Sequence, residues 1–336
     1  MTSASTLVKQ FRNGFLTLAL LVICLSQPVL AQDPLPSWRD GATKSAIVEF
    51  ITSTVTEGNK NYVQPDERVA VFDNDGTLWS EQPFYIQLGF ALDRVKALAE
   101  ENPDWKEKEP FKSVLNNDVQ GLAASGEKGL IELVMATHAG MTTDDFNSLV
   151  TNWFATARHP KTGKLYTEMT YLPMRELLEF LRANGFKTFI VSGGGVEFMR
   201  PVTQSLYGIP PEQVVGSSIA TKYEVIDGTP VLTRLPKIDF IDDGDGKPVG
   251  INKFIGRRPV FVAGNSDGDY EMLRWATAKT PGFGLIVHHT DVEREFAYDR
   301  KSAFGKLDKA LDEAKERGWT VVDMKQDWTE VFSPKK

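Results

Sequence analysis

The chain has 336 residues, 41% hydrophobic, 10% aromatic and 25% charged, a globular composition that excludes disordered, collagen-like and low-complexity architectures. Its 38 Lys and Arg against 45 Asp and Glu give a net charge of −7, without the basic excess that wraps a phosphate backbone, so nucleic acid is not an expected partner. The single cysteine, Cys24, excludes an intramolecular disulfide and a cysteine-ligated zinc site, so any metal must be held by oxygen or histidine.

At the start of the chain, Lys9 and Arg12 precede an apolar run from Phe15 to Leu25 that is too short to span a bilayer, and Val29-Leu30-Ala31 follows at a cleavage position. Residues 1–31 are expected to be an export signal, giving a periplasmic or secreted bacterial product that starts near Gln32. Ile23 is too bulky to precede a lipidated cysteine, which argues against an anchor at Cys24. No later segment reads as a membrane helix, so no membrane partner is expected once the signal is removed.

Short β-branched runs then alternate with amphipathic helical patterns, as in a parallel sheet covered by helices on both faces. Val69–Asp73, Lys187–Val191, Pro259–Ala263 and Phe283–Val287 are near-continuous apolar runs, which a strand buried on both faces requires. The hundred residues after the first strand look helical until Lys164–Met169, the next stretch of strand character. Leu88, Leu92, Val95 and Ala99 form one stripe there, and Phe146, Leu149, Val150, Trp153, Phe154 and Ala157 form another behind a cap at Thr142 or Thr143. Residues 82–168 are therefore expected to be a helical lid inserted in a core made of 32–81 and 169–336. Met174, Leu177, Leu178 and Leu181 predict a helix with Pro173 in its first turn and Gly185 past its end. Downstream, the Asp-Gly pair within Lys222–Arg234 predicts a hairpin, and Leu307, Ala310, Leu311 and Ala314 predict a helix stopping at Gly318.

The chemistry gathers where strands end. Val69–Phe72 runs into Asp73-Asn74-Asp75-Gly76-Thr77, two carboxylates at the mouth of a sheet, where an open parallel sheet places its ligand crevice. Gly76 lets the chain turn so that the acids aim differently, as a nucleophile and a proton donor must. A calcium loop fails on spacing, because a strand rather than a helix precedes. Taken alone, the acids could equally cap the next helix. Lys187–Val191 ends in Ser192-Gly193-Gly194-Gly195, a hydroxyl followed by amides suited to an anion. Gly246-Lys247-Pro248 offers an ammonium, and Pro259–Ala263 ends in a second oxygen cluster, Asn265 to Asp269.

In this order the four motifs resemble those of the haloacid dehalogenase superfamily, in its phosphoserine-phosphatase-like branch. The resemblance implies a three-layer Rossmann-like α/β core with an inserted helical cap and a magnesium-dependent phosphomonoester hydrolase acting on small organic phosphates. It implies Asp73 as the nucleophile that takes the phosphoryl group and Asp75 as general acid and base. Ser192, Gly193, Gly194 and Lys247 would hold the phosphoryl oxygens. Lys253 is the alternative lysine, but the rhythm of Lys247, Ile251 and Ile255 favours Lys247. Magnesium would be held by Asp73, the Asp75 carbonyl and the fourth motif, where Asn265 stands in place of the family's usual Asp; Asn265 and Asp269 are the expected ligands, with Asp267 an alternative. Dehalogenases lack the second acid and transport ATPases have threonine there, so Asp75 points to hydrolysis of a phosphomonoester. A phosphotransferase and a non-catalytic ligand-binding protein on the same fold are the alternatives. Related phosphatases also place a cap acid that reads a substrate amine near Glu81. His288 and His289 fall at the same sheet edge, and His138 and His159 have no metal-ligand spacing.

Overall fold

A computed structural model describes residues 33–334. The expected export signal and Cys24 lie outside the described residues. The strands are β1 (Val69–Phe72), β2 (Lys187–Gly195), β3 (Val214–Ile226), β4 (Thr229–Phe240), β5 (Phe261–Gly264), β6 (Phe283–Thr290), β7 (Ala297–Tyr298) and β8 (Thr320–Asp323). They form one sheet in the order β4-β3-β2-β1-β5-β6-β7, with β8 paired to β6. β1, β2, β5, β6 and β8 run parallel, so the ends of the four expected strands share one edge.

Alternation along β1 builds the layers. Ala70 and Phe72 face a core with helices α1 (Ala42–Val55), α7 (Leu172–Ala183) and α8 (Val196–Tyr207), while Val69 and Val71 face α10 (Tyr270–Thr277) and α11 (Lys309–Arg317). Every residue of β1 is thus buried, which explains its unbroken apolar run. Pro173 stands in the first turn of α7, and α11 ends on Gly318 in the left-handed region, as the sequence indicates.

Between β1 and β2 the chain is helical: α2 (Ile86–Leu98), α3 (Phe111–Leu115), α4 (Val119–Ala124), α5 (Gly126–His138) and α6 (Thr143–Phe154). Thr142 caps α6 by accepting from the Asp145 amide at 3.0 Å. Lys164–Met169 is not a strand but a 3₁₀ turn over Tyr166–Glu168. Tyr166 and Met169 are buried at a spacing of three, and the Glu168 carboxylate accepts from the Leu165 amide at 2.8 Å, so turn chemistry overrides strand propensity there. Val95, Trp105, Phe111, Val114 and Leu133 make a small core of their own, whereas Phe90, Phe146, Val150 and Phe154 join the core beneath the sheet.

The β3–β4 hairpin is longer than the sequence indicates. Its turn has Asp227 at φ 49° and Gly228 at φ 80°, the two positive values that match the twist of a tight hairpin. The hairpin reaches the helical insert: Arg234 N donates to Met141 O at 2.9 Å, and Gly140 N to Arg234 O at 2.8 Å. No helix among the described residues is long and apolar enough to cross a membrane.

Candidate active site

Asp73 continues the ladder of β1, donating its N–H to Ala263 O at 2.9 Å, and its carboxylate then enters a cavity of about 320 Å³ at the sheet edge. Its Oδ1 accepts from Lys247 Nζ at 2.7 Å. Lys247 lies in the short helix α9 (Gly246–Gly250) and is 2% exposed. Its other contacts are Asp269 Oδ1 at 2.6 Å and Val191 O at 3.1 Å, so three acceptors meet the three protons of the ammonium. Burial works against that charge, but Asp269, Asp73 and Asp243 outweigh it and hold Lys247 above its ordinary range. Lys253 instead lies exposed, with its ammonium 5.4 Å from the Phe240 ring centroid.

The loop after Asp73 is held by its own backbone. Asn74 O accepts from Leu78 N at 2.8 Å, and Gly76 N donates to Trp79 O at 2.8 Å. Gly76 adopts φ 71°, and a Cβ there would lie 2.1 Å from Asn265 Nδ2, so both conformation and space require glycine. The turn sets Asp75 against the Trp79 indole, whose Nε1 donates to Asp75 Oδ1 at 2.9 Å. Burial raises the Asp75 carboxyl to about 6, against the pull of that hydrogen bond and of Lys247.

Ser192 is buried at the same edge, and Gly194 N donates to its Oγ at 3.2 Å. The pairing of β2 with β3 shifts register between Ser192 and Gly195, which takes Gly193 and Gly194 off the ladder and turns them toward the cavity. Gly195 N donates to Gln87 Oε1 of α2 at 2.7 Å, tying the glycine run to the helical insert.

The fourth motif divides its labour. Asp267 Oδ1 accepts from the amides of Asp308 and Ala310, so it serves the start of α11. Asp269, expected as a metal ligand, has Oδ1 on Lys247 and Oδ2 on the amides of Asn265 and Ser266, at 2.9 and 3.0 Å. Its geometry makes it the holder of the lysine. Asn265 keeps its amide oxygen within 3.1 Å of Thr77 Oγ1. Glu81, expected to read a substrate amine, lines the cavity and accepts at Oε1 from Asn265 Nδ2 at 2.6 Å and from Tyr298 O–H at 2.8 Å.

Two features of the donor set fit a hard divalent cation. Asp73 and the Asp75 carbonyl are oxygen donors, and Asn265 would add its amide oxygen, its nitrogen being committed to Glu81. Asp73, Asp75, Glu81 and Asp243 line the cavity, with Lys247 the single cationic side chain in its wall among the described residues. Burial pushes Asp73 well above the usual carboxylate range; Lys247 opposes this, and Asp269 and Asp75 add to it, as expected where positive charge is short. Among the described residues no group of three or more His, Cys, Asp or Glu side chains is arranged to hold a metal ion.

His289 contributes more than its place in the sequence indicates. Its Nε2 lies 2.8 Å from Gly76 O and its Nδ1 3.2 Å from Glu295 Oε2, so it braces the turn that follows Asp75. Its position at the end of β6, on the active edge, is the signal that marks it. His288 pairs instead with Asp299, at 3.5 Å, and His159 lies 2.7 Å from Gln82 O.

A search of curated proteins gives no match. Among solved structures, a functionally unknown protein from Anaerococcus prevotii DSM 20548 is similar over 83% of this chain and 91% of its own, with 17% identity and a TM-score of 0.54, which supports the shared fold. A protein of unknown function from Bordetella pertussis Tohama I covers 77% of this chain and 99% of its own, at 15% identity and a TM-score of 0.47. A phosphoserine phosphohydrolase-like protein from Francisella tularensis subsp. tularensis SCHU S4 covers 66% and 87%, at 15% identity and a TM-score of 0.37. The family model for haloacid dehalogenase-like hydrolases matches residues 70–274, which is more than half of the chain and contains all four motifs. The chain therefore belongs to the haloacid dehalogenase-like hydrolases.

Proposed function

We propose that this hydrolase is a magnesium-dependent phosphomonoesterase of small organic phosphates, working through an aspartyl-phosphate in the periplasm or outside the cell. The observation that carries the reading is the 2.7 Å contact of Asp73 with Lys247, in one cavity with Asp75, Ser192, Gly193 and Gly194. Asp73 attacks phosphorus, and its new bond forms as the bond from phosphorus to the alcohol oxygen breaks. Asp75 gives its proton to that oxygen; water then attacks phosphorus and passes a proton to Asp75, releasing inorganic phosphate and restoring Asp73. Lys247, the Ser192 hydroxyl and the glycine amides hold the phosphoryl oxygens, where charge gathers in the transition state. Asp73, the Asp75 carbonyl and Asn265 would hold magnesium, which supplies positive charge between two anions that otherwise repel. The helices of 82–168 act as a cap over the substrate.

The test is phosphate release by the mature chain from a panel of phosphomonoesters. Turnover with magnesium, lost on chelation and restored by added metal, is expected. Failure to release phosphate from any ester with magnesium present would overturn the reading.

A further inference from the structure

A second cavity of about 230 Å³ adjoins the first, and Gln87, Leu130, Val134, Gly193 and Ile241 line both. Its walls are apolar: α5 contributes Ile131 and Met135, and the β3–β4 hairpin contributes Ile219, Ile238 and Phe240. Most of the polar groups that reach it have partners within the protein, although Arg234 Nη1 makes no hydrogen bond. Arg234 is ion-paired with Glu197, donates Nε to His138 O at 2.7 Å and lies 3.9 Å from the Phe146 ring centroid. His138 has Thr137 Oγ1 at 2.7 Å and Gln87 Nε2 at 3.2 Å, and Ser217 Oγ accepts from Asp242 N at 3.0 Å. In the catalytic cavity, Glu81 Oε1 accepts from Asn265 and Tyr298.

We propose that this cavity receives the alcohol portion of the substrate, and that the preferred phosphomonoesters carry an apolar aryl or branched alkyl group rather than a charged amino acid. The proposal rests on the phosphatase reading above and deepens it. A carboxylate or ammonium on the alcohol would lose its water among these apolar side chains, whereas an apolar group exchanges water for side chains. α5 and the hairpin are tied together at Arg234, so the walls come from the insert and the sheet at once.

The experiment compares kcat/KM for 2-phenylethyl phosphate, ethyl phosphate and phosphoserine, esters of primary alcohols, with calorimetric binding of 2-phenylethanol as a readout independent of turnover. The expected result is a preference of about tenfold or more for 2-phenylethyl phosphate over both others, the scale of discrimination an apolar pocket provides. Met135→Asp, in the wall of the second cavity alone, should remove the preference and weaken 2-phenylethanol binding while ethyl phosphate turnover persists, with urea midpoints reporting that the variant is folded. Equal values for the phenylethyl and ethyl esters, or a preference for phosphoserine, would overturn the proposal. If no ester turns over yet 2-phenylethanol binds and Met135→Asp abolishes that binding, the pocket assignment stands and the phosphatase reading falls. Absence of both turnover and alcohol binding overturns the two together.

Discussion

Lys247 and Asp75 have opposite electrostatic positions at the level of single side chains. Lys247 is locked between Asp73 and Asp269, so removing it would strand two buried carboxylates, at a cost of about 3–5 kcal/mol. Substitutions of the acids by their amides are therefore the cleaner probes. Asp75 faces the cavity, and burial raises its carboxyl to about 6, so it is protonated below that pH and charged above it. If it protonates the leaving group, kcat/KM for an alkyl phosphate should fall as pH rises through about 6. Asp75→Asn should lower turnover of such an ester by roughly 10²–10⁴-fold, and that of 4-nitrophenyl phosphate, whose leaving group hardly needs a proton, by far less. Equal losses on both esters, or an alkyl-ester profile flat across this range, would remove Asp75 from the role. That Asp73, Asp75, Ser192 and Lys247 meet at one cavity is legible in the sequence, because strand ends and residue order place them on one sheet edge. The roles of Asp269 and Glu81 are not, since whether a carboxylate meets a cation, an amide or an asparagine depends on loop paths that spacing does not encode.

Elements were readable where burial imposes a simple pattern. β1 and β5 are buried along their whole length, and their apolar runs announce it. The β3–β4 hairpin shows only its turn in the sequence, because its long arms are mostly half-buried or exposed, with β3 buried at Val214–Gly216 and β4 at Arg234 alone. Its attachment to the insert through Arg234 is a tertiary fact with no local signature. The same holds for Lys164–Met169, where packing of Tyr166 and Met169 overrides β propensity. In the first loop, the need for a positive φ and for room beside Asn265 meet at Gly76, and His289 reaches across from β6 to hold the carbonyl of that residue.

Across the whole molecule, parallel strands deliver several acids to one sheet edge, and the fold bears the electrostatic cost. Asp242 is fully buried next to the site, and burial, opposed by Lys247, raises its carboxyl to about 7 from an ordinary 3.8. Below pH 4 the group is neutral in folded and unfolded chains alike. As pH rises from about 4 to about 7 the unfolded chain ionises first, so stability falls by up to about 4 kcal/mol and then levels off. Asp242→Asn removes this slope, and its stability relative to the native chain should rise between pH 4 and 7 in urea titrations; a difference independent of pH would refute the assignment. The most direct measurement of covalent catalysis is rapid acid quench with an ester labelled in its phosphoryl group, followed by peptide mapping. One phosphoryl group on the peptide containing Asp73, absent in Asp73→Asn, is the expected result. Label on another residue, or an Asp73→Asn enzyme that still turns over, would contradict it.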